Sequence, residues 1–286
     1  MANIRLIRRR IRGVQSTAKI TRAMEMIATS KMRRDQESGI AGRPYDQKIR
    51  QVIADLAAMP QTGEAHPLLR RRMVKKIAIV HISPDRGLCG GLTANLNRKA
   101  GSFVLGQKTP VTIVGVGRKG IDFMRRYNRE MRAEFTHMGD RPTLLDTLAI
   151  SRVIIDDYTS GYVDEVYVAY TRFVSTMLQT PVIEKLLPIE PPVSSQPKTI
   201  DFDYEPTPED VLGALLPRFV EMEIYHAILE SIASEQSARM VAMRSATDNA
   251  ADLVQDLTLM YNNARQEAIT TELLDISGAT AALSKN

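Results

Sequence analysis

The sequence predicts an α/β fold plus long helices: an antiparallel coiled coil of the N- and C-terminal helices, with a Rossmann-like α/β domain of about five strands inserted between them. Three observations predict it. Residues 218–277 contain neither proline nor glycine and carry Met222, Tyr225, Leu229, Ile232, Gln236, Arg239, Met243, Ala246, Ala250, Leu253, Leu257, Met260 and Ala264 at alternating steps of three and four. The chain opens on the same spacing, with Ile4, Ile7, Ile11, Val14 and Ala18. Between the two ends, β-branched runs alternate with helical segments at crossover length.

A helix over 218–277 is about 90 Å long, several times the usual length in a globular core, so it needs a partner along its seam. The N-terminal helix supplies one. Residues 1–34 carry ten Lys or Arg against Glu25 alone, whereas residues 218–277 carry four Arg against ten Asp or Glu. A basic helix beside an acidic one is attracted to it, but exposed ion pairs contribute only about 0.2–1 kcal/mol each. Apolar burial must therefore hold the pair, with charge biasing its choice of partner. Gln236 and Arg239 interrupt the seam.

The first helix is expected over residues 2–37, with a pause at Gly39, Gly42 and Pro44, and again over 45–59 until Pro60 and Gly63 end it. Strands are expected at 77–82, 111–116, 131–135, 165–173 and 182–188, with helices at 92–105, 119–127 and 142–158. This is a mainly parallel sheet closed by an antiparallel hairpin. Thr207, Pro208, Glu209 and Asp210 form a helix-start signature; a kink is expected between Gly213 and Pro217, and Gly278 is placed to cap the far end. The domains read as 1–59 for the N-terminal helix of the coiled coil, 74–189 for the α/β domain, 190–206 for a proline-rich linker and 207–286 for the C-terminal helix.

Composition narrows the class. The 286 residues are 44% apolar and 25% charged with a formal net charge of +5, ordinary for a chain that buries a core. No run of 18 or more apolar residues is present, so no membrane span is expected, and no signal-peptide core opens the chain. A lone cysteine, Cys89, rules out an internal disulfide. The basic N-terminus is open to three other readings: a nucleic-acid arm, disfavoured because residues 1–34 contain no aromatic side chain; a mitochondrial transit peptide; and a solvated helix face.

Candidate chemistry is sparse. Gly115, Gly117 and Gly120 match G-x-G-x-x-G between a strand and a helix, the context of a dinucleotide-binding turn, with Glu134 as a loose ribose-binding acid. The plainer reading is a set of glycines that permits a tight turn. Residues 83–91, SPDRGLCGG, are glycine-rich but lack the lysine and hydroxyl of a P-loop. His66, His81, His137 and His226 are scattered, so neither a zinc site nor a thiol nucleophile beside Cys89 is indicated, and no catalytic residue, cofactor or metal is expected. Residues 23–28 are apolar on nearly all sides and residues 276–283 are small, apolar and uncharged. Each such segment calls for a further enclosing partner or for extra packing within the hairpin.

Residues 11–26 (IRGVQSTAKITRAMEM), 85–90 (DRGLCG), 234–243 (SEQSARMVAM) and 261–270 (YNNARQEAIT) together closely resemble the gamma subunit of F-type ATP synthases. The resemblance covers both ends and the middle of the chain in the right order, and it starts at the first residues, so no presequence is expected. It implies a central-stalk rotor that turns inside the ring of alpha and beta subunits, meets the epsilon subunit and the c-subunit ring at its foot, and couples proton or sodium flow to ATP synthesis or hydrolysis in the beta subunits. It implies a non-catalytic subunit, peripheral to the cell membrane on the cytoplasmic side of a bacterium. By motif, Met24, Arg265, Gln266 and Thr270 fall among the shaft positions that face the catalytic ring, and Tyr204 and Glu205 near the foot. A short linker without cysteine departs from the chloroplast pattern of thiol control. The readings from other classes are a dinucleotide-binding enzyme and a coiled-coil scaffold or nucleic-acid adaptor.

Overall fold

The structure, a computed structural model, describes residues 4–57, 66–190, 205 and 207–283. Its elements are α1 (Ile4–Ala57), β1 (Ile77–Ile82), α2 (Leu92–Gly106), β2 (Val111–Val116), α3 (Arg118–Arg126), β3 (Met131–Phe135), α4 (Leu144–Thr159), β4 (Glu165–Phe173), β5 (Gln179–Leu187) and α5 (Pro208–Leu283). Two compact units result: Met1–Ala28 with Met240–Asn286, and Thr29–Arg239.

The larger unit is built on one sheet of order β3-β2-β1-β4-β5. Its first four strands are parallel and β5 returns antiparallel to β4. β1 is buried at every position, which is why Ile77–Ile82 is apolar at every residue except His81 rather than alternating. Chain direction sets the layers. The β1-α2-β2-α3-β3 path steps toward one edge, while α4 carries the chain back past β1 to β4. Right-handed crossovers in opposite directions must lie on opposite faces. Accordingly Leu96, Ala100, Val104 and Met124 of α2 and α3 pack on Ile79, Ile113 and Ala169, and Ile150, Ile154 and Tyr158 of α4 cover Val80, Val114 and Val168 on the other side. That second face also takes Ile49, Ile53 and Leu56 of α1 and Leu212, Leu216, Val220, Ile224 and Ile228 of α5.

The smaller unit is the paired part of α1 and α5. As the α1 partner advances from Arg8 to Thr21 to Glu25, its α5 partner retreats from Tyr261 to Thr247 to Arg244, so the helices run antiparallel. Ile7, Thr21 and Ala28 of α1 and Met243, Ala250 and Leu257 of α5 are buried.

Several boundaries differ from expectation. α1 passes through Gly39, Gly42 and Pro44 without a break. Two glycines and one proline cost a few kcal/mol of helix propensity, and burial of Ile49, Ile53 and Leu56 in the next turns offsets it. α5 likewise runs through Pro217, and Gly278 lies inside the helix instead of capping it. The Ala-rich turn after Gly278 carries the helix on, since alanine is the best helix former. α4 begins at Leu144 rather than 142 because Thr143 is its cap: the Thr143 N–H donates to Asp146 Oδ2 at 2.7 Å. At α5 the start signature forms as read, with the Asp210 N–H donating to Thr207 Oγ1 at 3.2 Å. Of the expected linker only Glu190 and Glu205 are described, and residues 58–59 lie outside the described residues.

The seam needs a larger correction. Leu253 and Met260 are 46% and 56% exposed, whereas Val254 and Tyr261 are partly covered. The α5 seam steps through Met243, Thr247, Ala250, Val254, Leu257, Tyr261, Ala264 and Ala268, keeping the predicted three-four rhythm with alternate members one residue later. Both sets satisfy the three-four rhythm in sequence, and the register of α1, which sets Thr21 against Thr247 and Arg8 against Tyr261, selects the later residues. Further back, Met222, Tyr225, Leu229 and Ile232 are only partly covered, while Phe219, Val220, Ile224, Ala227 and Ile228 are buried. There α5 packs on a sheet domain, which takes a broader helical face than a coiled-coil seam.

Candidate functional site

The G-x-G-x-x-G turn lies at the carboxyl ends of the parallel strands, where open α/β sheets bind ligands. Each glycine there is required by the protein's own packing. A Cβ on Gly115 would stand 2.5 Å from Ile121, one on Gly120 would stand 2.4 Å from His81, and one on Gly117, held at φ +88°, would stand 1.8 Å from the Ser83 carbonyl. The amides that open α3 are also occupied. Arg118 N–H donates to Asp85 Oδ1 at 2.8 Å, Lys119 N–H to the Pro84 carbonyl at 3.1 Å, and Gly120 N–H to Ser83 Oγ at 2.7 Å. Where a dinucleotide would place its pyrophosphate, this chain places its own carboxylate. The turn is therefore structural, and Glu134 has another role: it pairs with Arg125 at 2.5 Å.

Asp85 does more than fill the turn. Its second oxygen accepts from His137 N–H at 3.0 Å, so one carboxylate ties together the loops that follow β1, β2 and β3. Sequence reading missed this, although an Asp just after a strand and before a glycine turn is a usable signal for it. The same loop meets α5 through Arg239, whose guanidinium donates to the Gly87 carbonyl at 3.2 Å, Gln236 Oε1 at 3.1 Å and Glu235 Oε1 at 2.6 Å. That network accounts for the two polar residues that interrupt the heptad. Burial pushes the Glu235 carboxyl above its usual range, with Arg239 opposing. Beside it, Ser234 Oγ donates to the Thr171 carbonyl and Ser237 Oγ to the Thr176 carbonyl, so small hydroxyls let α5 approach the β4–β5 hairpin closely. Leu88 sits at φ +65° with 61% of its surface exposed, an uncommon conformation for a bulky side chain.

Cys89 is buried with its sulfur 3.4 Å from Thr93 Oγ1. His81 is fully buried and bonded to Asn97 at 2.8 Å, and burial lowers its pKa to about 4. Among the described residues no group of three His, Cys, Asp or Glu could hold a metal ion, and no helix is long and apolar enough to cross a membrane.

On the helix pair, the Thr21 and Thr247 hydroxyls share a hydrogen bond of 2.7 Å and Arg244 pairs with Glu25 at 3.3 Å. Met24, next to Glu25, is partly covered, and Met26 and Ile27 are exposed. Arg265, Gln266 and Thr270 are all exposed on one stretch of α5. They fall together, and Met24 does not: the antiparallel register sets it level with the turn of Arg244, some 20 residues or about 30 Å along α5 from Arg265. Glu205 is exposed, and Tyr204 lies outside the described residues.

A family model described as ATP synthase matches residues 3–283. The ATP synthase gamma chain of Dehalococcoides mccartyi (strain CBDB1) is 65% identical over 284 residues, covering 99% of this chain and all of the relative. The chain belongs to the ATP synthase gamma chain family. The gamma chain of Roseiflexus castenholzii is 48% identical over 289 residues with both chains fully covered. A chain in the rotor of Euglena gracilis mitochondrial ATP synthase, rotational state 1, superposes with a TM-score of 0.64 over 93% of this chain and 98% of that one, at 20% identity. It shares the fold: long terminal helices with the five-stranded sheet between them. Family membership makes this chain a subunit of the ATP synthase complex and leaves the dinucleotide-enzyme and scaffold readings without support.

Proposed function

We infer that the chain is the central-stalk subunit of an F-type ATP synthase and acts as its rotor. The observation that carries this is the family match over residues 3–283, on a chain whose two ends pair as antiparallel helices. The subunit catalyses nothing itself. The helix pair turns within a ring of alpha and beta subunits and presents a different face to each beta subunit in turn. Its differential contacts shift nucleotide affinity there, which is the only way a partner can bias a conformational equilibrium. The epsilon subunit and the c ring meet the foot, proton or sodium flow drives the turning, and the subunit stays peripheral on the cytoplasmic side of the cell membrane.

Met24, Arg265, Gln266 and Thr270 are the shaft positions proposed to face the catalytic ring, with Tyr204 and Glu205 at the foot. Exposure of Arg265, Gln266 and Thr270 away from the α1–α5 seam supports this, as does exposure of Met26, Ile27, Leu273, Leu274 and Ile276. Large apolar side chains left open along a helix call for a sleeve. The domain division into 1–59, 74–189, 190–206 and 207–286 is kept as part of this reading. Co-expression with tagged alpha and beta subunits tests it. Stoichiometric capture with ATPase activity in the complex and none in the isolated chain is expected, and failure to assemble with either subunit would sink it.

A further inference from the structure

Beneath the blocked phosphate turn lies a cleft of about 350 Å³, bounded by the loops after β1, β2 and β3 on one side and by α5 on the other. It belongs wholly to the Thr29–Arg239 unit and falls within the size range of small-molecule sites. Its floor is apolar, made by Ile82, Val116, Ile228 and Ile232.

The charge around the cleft is asymmetric. Three acids line it, and each is committed within the protein. Asp85 accepts two backbone N–H groups, Asp140 pairs with Lys31 at 2.7 Å, and Glu235 pairs with Arg239 at 2.6 Å. Arg86 and Arg118 also line it, and neither guanidinium makes a side-chain hydrogen bond or ion pair within 4 Å among the described residues; Arg86 acts on Asp140 only through space. Two arginines without a side-chain partner, on the wall of a cleft that also carries four apolar side chains, can supply charge-assisted donors to an oxyanion that has a hydrophobic body.

We propose that this cleft binds a small organic anion, a carboxylate or phosphate head held by Arg86 and Arg118 with an apolar body resting on Ile82, Val116, Ile228 and Ile232. The site is independent of the rotor role and would survive its failure. It is also distinct from dinucleotide binding, because the head group contacts side chains at the rim while the α3 amides remain with Asp85.

The isolated full chain is titrated with phenyl phosphate, benzoate and inorganic phosphate, followed by saturation-transfer NMR and by thermal shift. Saturable binding of phenyl phosphate or benzoate is expected. Inorganic phosphate, lacking the apolar body, should bind at least about tenfold more weakly, and the doubly substituted Arg86→Gln, Arg118→Gln chain should weaken organic-anion binding by about tenfold or more. Phenyl phosphate without benzoate assigns a phosphate head and the reverse a carboxylate head; either supports the site. Both arginines are exposed, so the double variant should keep the wild-type melting temperature; if it does not, Arg118→Gln alone is used. No saturable binding of either organic anion up to ~10 mM, or undiminished binding after the arginines are replaced, overturns the proposal.

Discussion

The glycine turn shows how differently a motif and its surroundings are written in sequence. Gly115, Gly117 and Gly120 are legible as a turn between strand and helix, but what fills the turn is not, because Ser83 and Asp85 reach it from more than thirty residues away. The same gap hid the role of Arg239 until Gly87 was beside it. Gly117→Ala should destabilise the chain by at least about 3 kcal/mol, since it sets a Cβ against the Ser83 carbonyl at positive φ. Gly87→Ala, with nothing within 4 Å of the new atom, should change it by less than about 0.5 kcal/mol; urea midpoints separate the two. His81 gives a pH test. Its pKa is near 6.5 when unfolded and about 4 when folded, so between those values the unfolded chain binds a proton that the folded chain refuses. Its destabilising effect is absent above pH 6.5 and grows as pH falls to 4, to roughly 3 kcal/mol. Burial lowers His66 too, so the useful measure is the difference between wild type and His81→Gln, which keeps a donor for Asn97. The variant should lose distinctly less stability from pH 7 to pH 4. Parallel curves would exclude His81 as the cause.

At the scale of elements, type was easier to read than register. All five strands and the three crossover helices were visible in the alternation of β-branched runs with amphipathic segments, because a period of 2 or 3.6 is a local property. Which side of a long helix meets its partner is not local. Leu253 and Val254 both satisfy a three-four rhythm, and only the partner helix selects between them. Paired substitutions expose the outcome. Leu257→Asp, at a position 8% exposed, should cost several kcal/mol or force the carboxyl to protonate, and should impair pairing of α1 with α5. Leu253→Asp, 46% exposed, should leave the melting curve of the isolated chain within about 0.5 kcal/mol of wild type. Equal effects would mean that the seam runs through Leu253 after all. The uninterrupted passage of α1 through Gly39 and Pro44 makes the same point, since local propensity marked a break and distant burial overrode it.

For the whole molecule, the proposed rotor role was legible only through the family motifs; helix periodicity paired the two ends of the chain and could not say what encloses them. Its sharpest test is Met24→Lys. A cation placed beside Glu25, where the pair is proposed to meet the beta subunits, should form contacts of about 1–3 kcal/mol in some rotary positions and not in others, slowing individual steps by roughly tenfold or more. ATP-driven ion pumping normalised to hydrolysis should fall in membranes carrying a fully assembled mutant complex, whereas an unchanged ratio would remove Met24 from the coupling surface. The pairing of Thr21 with Thr247 spans 226 residues, and that separation bears on biogenesis. At about 5–20 residues per second, the ribosome needs roughly 10–45 s to reach the α5 partner after it has made the α1 seam. During that interval Ile7 and Ala28 have no helix to close upon, although the sheet, whose strands are nearer in sequence, can already form. The helix pair is thus the last part of the nascent chain able to fold. Losses to aggregation in a chaperone-poor host should rise when the codons for residues 77–187 are made slow, because that lengthens the wait between the α1 seam and its α5 partner, and should change little when those for residues 4–18 are slowed instead.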